Sequence, residues 1–151
     1  MTHSVKVTVT VNASLEKVWD IFMNPGYLKN WLTGFVSIEH LDGTIGNKGS
    51  LSKMLFLEHG KGVEIIEKVL FINPMQQYSF EMQHENLSTL VDVRFISIGQ
   101  VTEIIQAVQF TPKGIFMKLI MPLLRGTMKK RMANDLKNLK VFIESKNYET
   151  I

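Results

Sequence analysis

"GIFMKLIMPLLRGTMKKRM", residues 114–132, is the stretch on which the fold turns. An almost unbroken apolar run, interrupted by Lys118 and Pro122, leads straight into the basic cluster Lys129, Lys130, Arg131. A membrane anchor, a nucleic-acid-binding helix and one wall of an internal cavity can all look like this. A spanning helix needs roughly 20 apolar residues, about twice what residues 115–124 provide, and the Lys and Pro argue further against an anchor. Met117, Met121, Leu124, Met128, Met132, Leu136, Leu139 and Ile143 recur at three- and four-residue steps, the mark of a helix with one apolar stripe. Lys129, Lys130, Asn134, Lys137, Asn138 and Lys140 lie mostly off that stripe. Pro122 removes a backbone hydrogen bond, which predicts a kink or a short break near the helix start.

What such a stripe packs against is written in the preceding residues. Between Gly34 and Pro112 the turn signals "LDGTIGNKG", "EHGKG", "INP", "HEN" and "IGQ" divide the chain into six strands without helices between them, an antiparallel meander. Tyr78, Phe80 and Met82 alternate with polar residues, as do Val91, Val93 and Phe95, so one face is apolar. A two-residue Gly99-Gln100 hairpin sets Ile98 opposite Val101 and carries Ile104, Gln106, Val108 and Phe110 to that face. Upstream, Val5, Val7, Val9 and Val11 mark a first strand. Ser14 is placed to cap a helix bearing Leu15, Val18, Trp19 and Phe22, and Asn24-Pro25 opens a second short helix through Trp31. A long helix with an apolar stripe and a curved sheet with an apolar face must cover each other. The expectation is a single α+β domain over residues 1–151, with a curved seven-stranded antiparallel sheet wrapped around the C-terminal helix.

Several segments carry a resemblance. "VNASLEKVWDIFMNPGYLKNW" (residues 11–31), "GNKGSLSKM" (46–54), "VEIIEKVLFINP" (63–74) and residues 110–144 resemble the helix-grip superfamily of lipid-transfer (START) proteins and birch-pollen-type allergens. Its bacterial polyketide cyclase/dehydrase-like branch is the most similar. The resemblance spans nearly the whole chain. It implies an elongated cavity between sheet and helix that suits an apolar ring system or acyl chain, in a branch that mixes binders, carriers and cyclases.

On that reading Trp31, Met54, Phe56, Phe80, Met82 and Val93 line the cavity, joined by Phe95, Val108, Met121, Met128 and Met132. Gln106 supplies a polar contact. Methionine packs adaptably against irregular surfaces, which suits a ligand wall, although a methionine stripe serves equally as ordinary core. Residues 115–124 are expected to form a flexible mouth opened by a helix break at Pro122. Lys118, Arg125 and Lys129 to Arg131 stand at its rim, where they can steer an anionic head group or touch an anionic membrane. Residues 113–151 hold 9 Lys and Arg against 3 Asp and Glu, whereas residues 1–112 hold 8 against 11.

Catalytic alternatives narrow quickly. The absence of cysteine removes thiol nucleophiles and cysteine-ligated metals. His3, His40, His59 and His84 are scattered without metal-ligand spacing, so no metal and no cofactor are expected. "GTIGNKGS" lacks the Gly-Lys-Ser/Thr ending of a phosphate loop, and no serine sits in a nucleophile elbow. The basic cluster has no aromatic neighbours, which argues against nucleic acid. Acid–base chemistry inside the cavity remains, with Lys53 and Glu67 as candidates. A three-residue "HGK" loop would set them opposite each other, either as a catalytic pair or as a structural cross-strand pair. A protein-interaction module is the third alternative. The N-terminus lacks a signal-peptide core, so the cytoplasm is the expected location.

Overall fold

The computed structural model describes residues 3–145 and shows the elements in the expected order. Strand β1 (His3–Val11) leads into helix α1 (Leu15–Phe22), a 3₁₀ turn (Pro25–Tyr27) and helix α2 (Leu28–Trp31). Strands β2 (Phe35–Asp42), β3 (Leu51–Glu58), β4 (Lys61–Asn73), β5 (Gln77–His84), β6 (Leu87–Ile98) and β7 (Val101–Pro112) follow, and then helix α3 (Ile115–Glu144). All seven strands pair antiparallel in the order β1-β7-β6-β5-β4-β3-β2, so the first strand docks beside the last. With the long helix against it, this is the helix-grip arrangement.

Local chemistry explains the element boundaries. Ser14 Oγ accepts the Lys17 amide at 3.2 Å and starts α1. The Asn24 side chain accepts the Gly26 amide at 2.9 Å, with Pro25 pre-set for the turn behind it. Gly99, with φ 62°, occupies the first central position of the β6–β7 hairpin, and Ile98 faces Val101. That register puts Val93 opposite Gln106 and buries Ile104, Val108 and Phe110.

The β3–β4 hairpin departs from expectation. Its loop is the pair His59-Gly60, with φ 49° and 81°, and Glu58 faces Lys61. Two positive φ angles make a primed turn whose twist matches that of the strands, and this shortens the expected loop by one residue. Lys53 therefore lies opposite Ile66, and Glu67 opposite Ser52.

Helix α3 turns its stripe inward as expected. Met121, Leu136, Leu139 and Ile143 are buried, while Met117, Leu124, Met128 and Met132 are half-buried. From Arg125 onward it runs beside β1. Arg125 Nε and a terminal guanidinium nitrogen donate to the Ser4 carbonyl at 2.9 and 2.7 Å. Lys140 donates to the Thr10 carbonyl at 2.7 Å, and Glu144 accepts the Asn12 amide at 2.7 Å. Fifteen helical residues rise about 22 Å and six strand residues about 20 Å, so helix and strand keep step between these ties. The helix thus covers the free edge of β1, which would otherwise offer itself to another strand. The break expected at Pro122 is not there: the helix is continuous through it. Lys118, whose carbonyl loses its helical donor to Pro122, is exposed, so water can serve that carbonyl.

Candidate functional site: an internal cavity

Between the concave sheet face, α2 and α3 lies a cavity of about 340 Å³. The strand rows build its wall. Glu67, Met82, Thr89 and Phe110 stand across β4, β5, β6 and β7 in one inward row, and Phe80, Val91 and Val108 in the next. Helix α1 and the turn after it add Phe22 and Met23, α2 adds Leu28 and Trp31, and α3 adds Met128, Arg131, Met132 and Asp135. Most of these side chains are apolar, as a site for an apolar guest requires.

Of the residues expected on this wall, Trp31, Met54, Phe56, Phe80, Met82, Val93, Gln106, Val108, Met128 and Met132 are there. Phe95 and Met121 are not. Phe95 packs edge-on against Trp19 and Phe22, each at 5.1 Å between ring centres, and so belongs to the solid core beneath α1. Met121 is fully buried among the core side chains under the start of α3. Alternation identified the face of the sheet but could not say how far along each element the guest space extends.

The expected Lys53–Glu67 pair does not form. Lys53 reaches Glu39 on β2 at 3.5 Å on a solvent-exposed face. Glu67 faces the cavity, where the Tyr78 hydroxyl lies 3.3 Å from its Oε1. Burial raises the Glu67 carboxyl from its ordinary 4.5 to about 7, with the Tyr78 hydrogen bond opposing part of the shift. Burial, the Glu67 charge and that same hydrogen bond push the Tyr78 phenol upward, so it remains a donor. Tyr78 stood in the alternating run "QYSFEMQ", residues 77–83, and Glu67 two positions from both Ile65 and Val69. The alternation was present in the sequence, but the register shift between Val69 and Phe71, which lies between Glu67 and the part of β4 that faces Tyr78, was not.

A second cluster closes the end of the cavity near α2. Arg131 contacts Glu58 at 2.6 Å and donates to the Thr33 carbonyl at 2.7 Å. Asp135 accepts both the Thr33 amide, at 3.1 Å, and the Thr33 hydroxyl. Burial raises the Asp135 pKa, against the Thr33 hydrogen bonds and the Arg131 charge. Asn138 donates to the Trp31 carbonyl at 3.4 Å, so three residues on one face of α3 latch residues 31–33. Gly34, with φ 76°, continues this latch; a Cβ there would come within 2.8 Å of the Leu57 carbonyl oxygen.

Two polar groups on the wall lack partners among the described residues. The Trp31 indole N–H is buried without an acceptor, and the Gln106 amide makes no side-chain hydrogen bond. Among the described residues no group of three or more His, Asp or Glu is arranged to hold a metal ion. The expected rim is only partly free. Arg125 and Arg131 are committed to the Ser4 and Thr33 carbonyls, leaving Lys118, Lys129 and Lys130 exposed.

A smaller hollow adjoins the first and shares Ile65, Met82, Leu87 and Thr89 with it; Val63, His84, Asn86 and Met117 complete its lining. Above it, the opposite face of α3 is bare: Ile115, Phe116, Leu119 and Leu123 are 71–81% exposed. No helix among the described residues is long and apolar enough to cross a membrane.

Comparison with known proteins agrees with this architecture. The family described as polyketide cyclase/dehydrase and lipid transport matches residues 2–144. Among solved structures, a conserved protein from Geobacillus kaustophilus superimposes with a TM-score of 0.78 at 16% identity, covering 95% of this chain and 97% of that one. The Zhui aromatase/cyclase from Streptomyces sp. R1128 gives 0.77 at 12% identity, covering 97% and 96%. Norcoclaurine synthase from Thalictrum flavum gives 0.66 at 19% identity, covering 96% and 88%. At these identities the likeness is one of fold. Among curated proteins, none matches the sequence.

Proposed function

Because the chain belongs to the polyketide cyclase/dehydrase and lipid transport family, we propose that it is a carrier that encloses a hydrophobic small molecule, a lipid or a polyketide-like ring system, between sheet and α3. The observation that carries this reading is the cavity itself, about 340 Å³ with a mostly apolar lining. A domain packed only for stability fills its interior to crystal-like density, because each unfilled methyl-sized void costs about 1 kcal/mol. Native mass spectrometry of gently purified protein tests the reading. A bound apolar organic molecule, lost when Met128→Trp fills the space, is the expected result. A wild-type protein that carries none and takes up no neutral apolar dye overturns it.

The bare face of α3 favours a companion reading, that the carrier exchanges its guest at an anionic membrane surface from the cytoplasmic side. Ile115, Phe116, Leu119 and Leu123 share one side of the helix, with Lys118, Lys129 and Lys130 beside and beyond them. An apolar strip edged by lysines suits the boundary between acyl chains and anionic headgroups. Met117, on the inward side of the same turns, lines the hollow that adjoins the main cavity. Enzymatic cyclisation or dehydration is the alternative use of the same space, and Glu67 is then the residue placed to move a proton.

A further inference from the structure

The polar groups of the cavity are unevenly matched. Its charged side chains are Glu58 and Glu67 from the sheet and Arg131 and Asp135 from α3; α1, α2 and the remaining strands contribute none. Arg131 is engaged by Glu58 at 2.6 Å and lies beside Asp135, so the single cation is consumed at the α2 end. Glu67 has no cation. Tyr78 occupies one of its oxygens, and Oε2 has no donor among the described residues. Its strand neighbours are Ser52 and Met82, and its row continues to Thr89, all uncharged. His84 lines the adjoining hollow, where its Nδ1 accepts the Asn86 amide at 3.3 Å. A guest filling this space therefore meets a wall with three carboxyl groups and one guanidinium, and of the three carboxyls only Glu67 has no cation beside it.

We propose that Glu67, held by Tyr78, makes the cavity selective for apolar molecules that carry a basic nitrogen, whose ammonium group docks on the free Glu67 oxygen. This rests on the carrier reading above and narrows it to a class of guest. An ammonium supplies the missing donor and the missing charge together. A hydroxyl supplies only a donor, and a carboxylate adds a fourth negative group to a low-dielectric wall. Tyr78 acts as a positioning residue: its ring stacks on Phe80 at 4.9 Å and its hydroxyl fixes one carboxyl oxygen, turning the other toward the guest space. The preference also depends on pH. Glu67 must be ionised to pair with ammonium, and its carboxyl is raised to about 7, so the preference grows as pH rises through neutrality and fades below it.

The test is displacement of the neutral dye N-phenyl-1-naphthylamine by octylamine, octan-1-ol and octanoate, three chains of equal length. At about pH 8, octylamine is expected to displace the dye at a concentration roughly tenfold or more below that of octan-1-ol, the factor a charge-assisted hydrogen bond provides. Octanoate should be the weakest. At about pH 5.5 the advantage of the amine should shrink to near parity. Measured against each variant's own dye affinity, Glu67→Gln should abolish the amine advantage at the higher pH, and Tyr78→Phe should reduce it. Failure of the dye to bind the wild-type protein overturns the carrier reading and takes this inference with it. Dye binding without an amine preference, or a preference that survives Glu67→Gln, overturns the inference and leaves the carrier reading standing. Should Glu67→Gln prove unfolded, the pH series on the wild-type protein decides alone, a preference flat across neutrality counting against Glu67.

Discussion

The Tyr78 hydroxyl lies 3.3 Å from Oε1 of Glu67, inside a wall that is otherwise mostly apolar. This relationship gives the protein a built-in pH dependence. The folded-state pKa of Glu67 is raised from 4.5 to about 7, so between those values the folded form holds a proton that the unfolded chain releases. Stability is therefore greatest below about 4.5 with respect to this group and is lost as pH rises to about 7. The full shift corresponds to roughly 3 kcal/mol, and partial exposure to the cavity reduces it to about 2 kcal/mol. Urea unfolding at about pH 5 and pH 8 should show Glu67→Gln gaining on the wild type at the higher value. Parallel curves for the two proteins would refute the assignment.

The α3 latch offers a second measurement. Arg131 joins Glu58, each of the two side chains about two-thirds shielded from water, and also the carbonyl of the exposed Thr33. Arg131→Ala strips a charge-assisted pair and leaves the Glu58 carboxylate beside the cavity without a counter-ion. A loss of about 2 kcal/mol is expected. Lys53→Ala, which removes only the exposed Glu39 pair, should cost less than about 0.5 kcal/mol. Equal losses in chemical denaturation would contradict this account.

The fold was legible because its signals are local and redundant. The α3 stripe, the alternation of β5 and β6 and the Gly99 turn each specify an element independently, and an error in one does not move the others. The site was less legible because it depends on register. A loop of two residues rather than three at His59-Gly60 removed Lys53 from Glu67, and glycine tolerance alone does not distinguish the two turn lengths. Phe95 and Met121 mark a different limit. They carry the right pattern for the wall, but Trp19 and Phe22 on α1 fill the space in front of Phe95, a contact between segments far apart in sequence.

Two glycines separate conformational strain from close approach. Gly34 and Gly46 both have positive φ, 76° and 82°, so alanine is disfavoured by about 1 kcal/mol at either position. Only at Gly34 would the added Cβ also meet a backbone oxygen, at 2.8 Å, whereas Gly46 has nothing within 4 Å. Thermal unfolding should show Gly34→Ala costing at least twice as much as Gly46→Ala. Comparable midpoints would mean that the Gly34–Leu57 approach relaxes freely.

The bare face of α3 gives the last expectation. Its first three turns precede Arg125, where the helix first ties to β1, so they lie beyond the part of the helix held at that edge and expose Ile115, Phe116, Leu119 and Leu123. Four large apolar side chains on one helical side keep a hydration cost that solvent cannot relieve, and something of complementary chemistry is expected to cover them. The lysine surplus alongside selects an anionic surface over a neutral one, since each basic residue near such a bilayer gains about 1 kcal/mol. The protein should therefore sediment with vesicles of mixed phosphatidylcholine and phosphatidylserine and not with phosphatidylcholine alone. Leu119→Asp with Leu123→Asp should abolish sedimentation through lost insertion, and Lys129→Glu with Lys130→Glu through lost attraction. High salt should rescue neither variant but should weaken the wild type. Binding that ignores lipid charge, or a concentration-dependent dimer in light scattering that Leu119→Asp dissolves, would assign this face to a protein partner or a second copy of the chain instead.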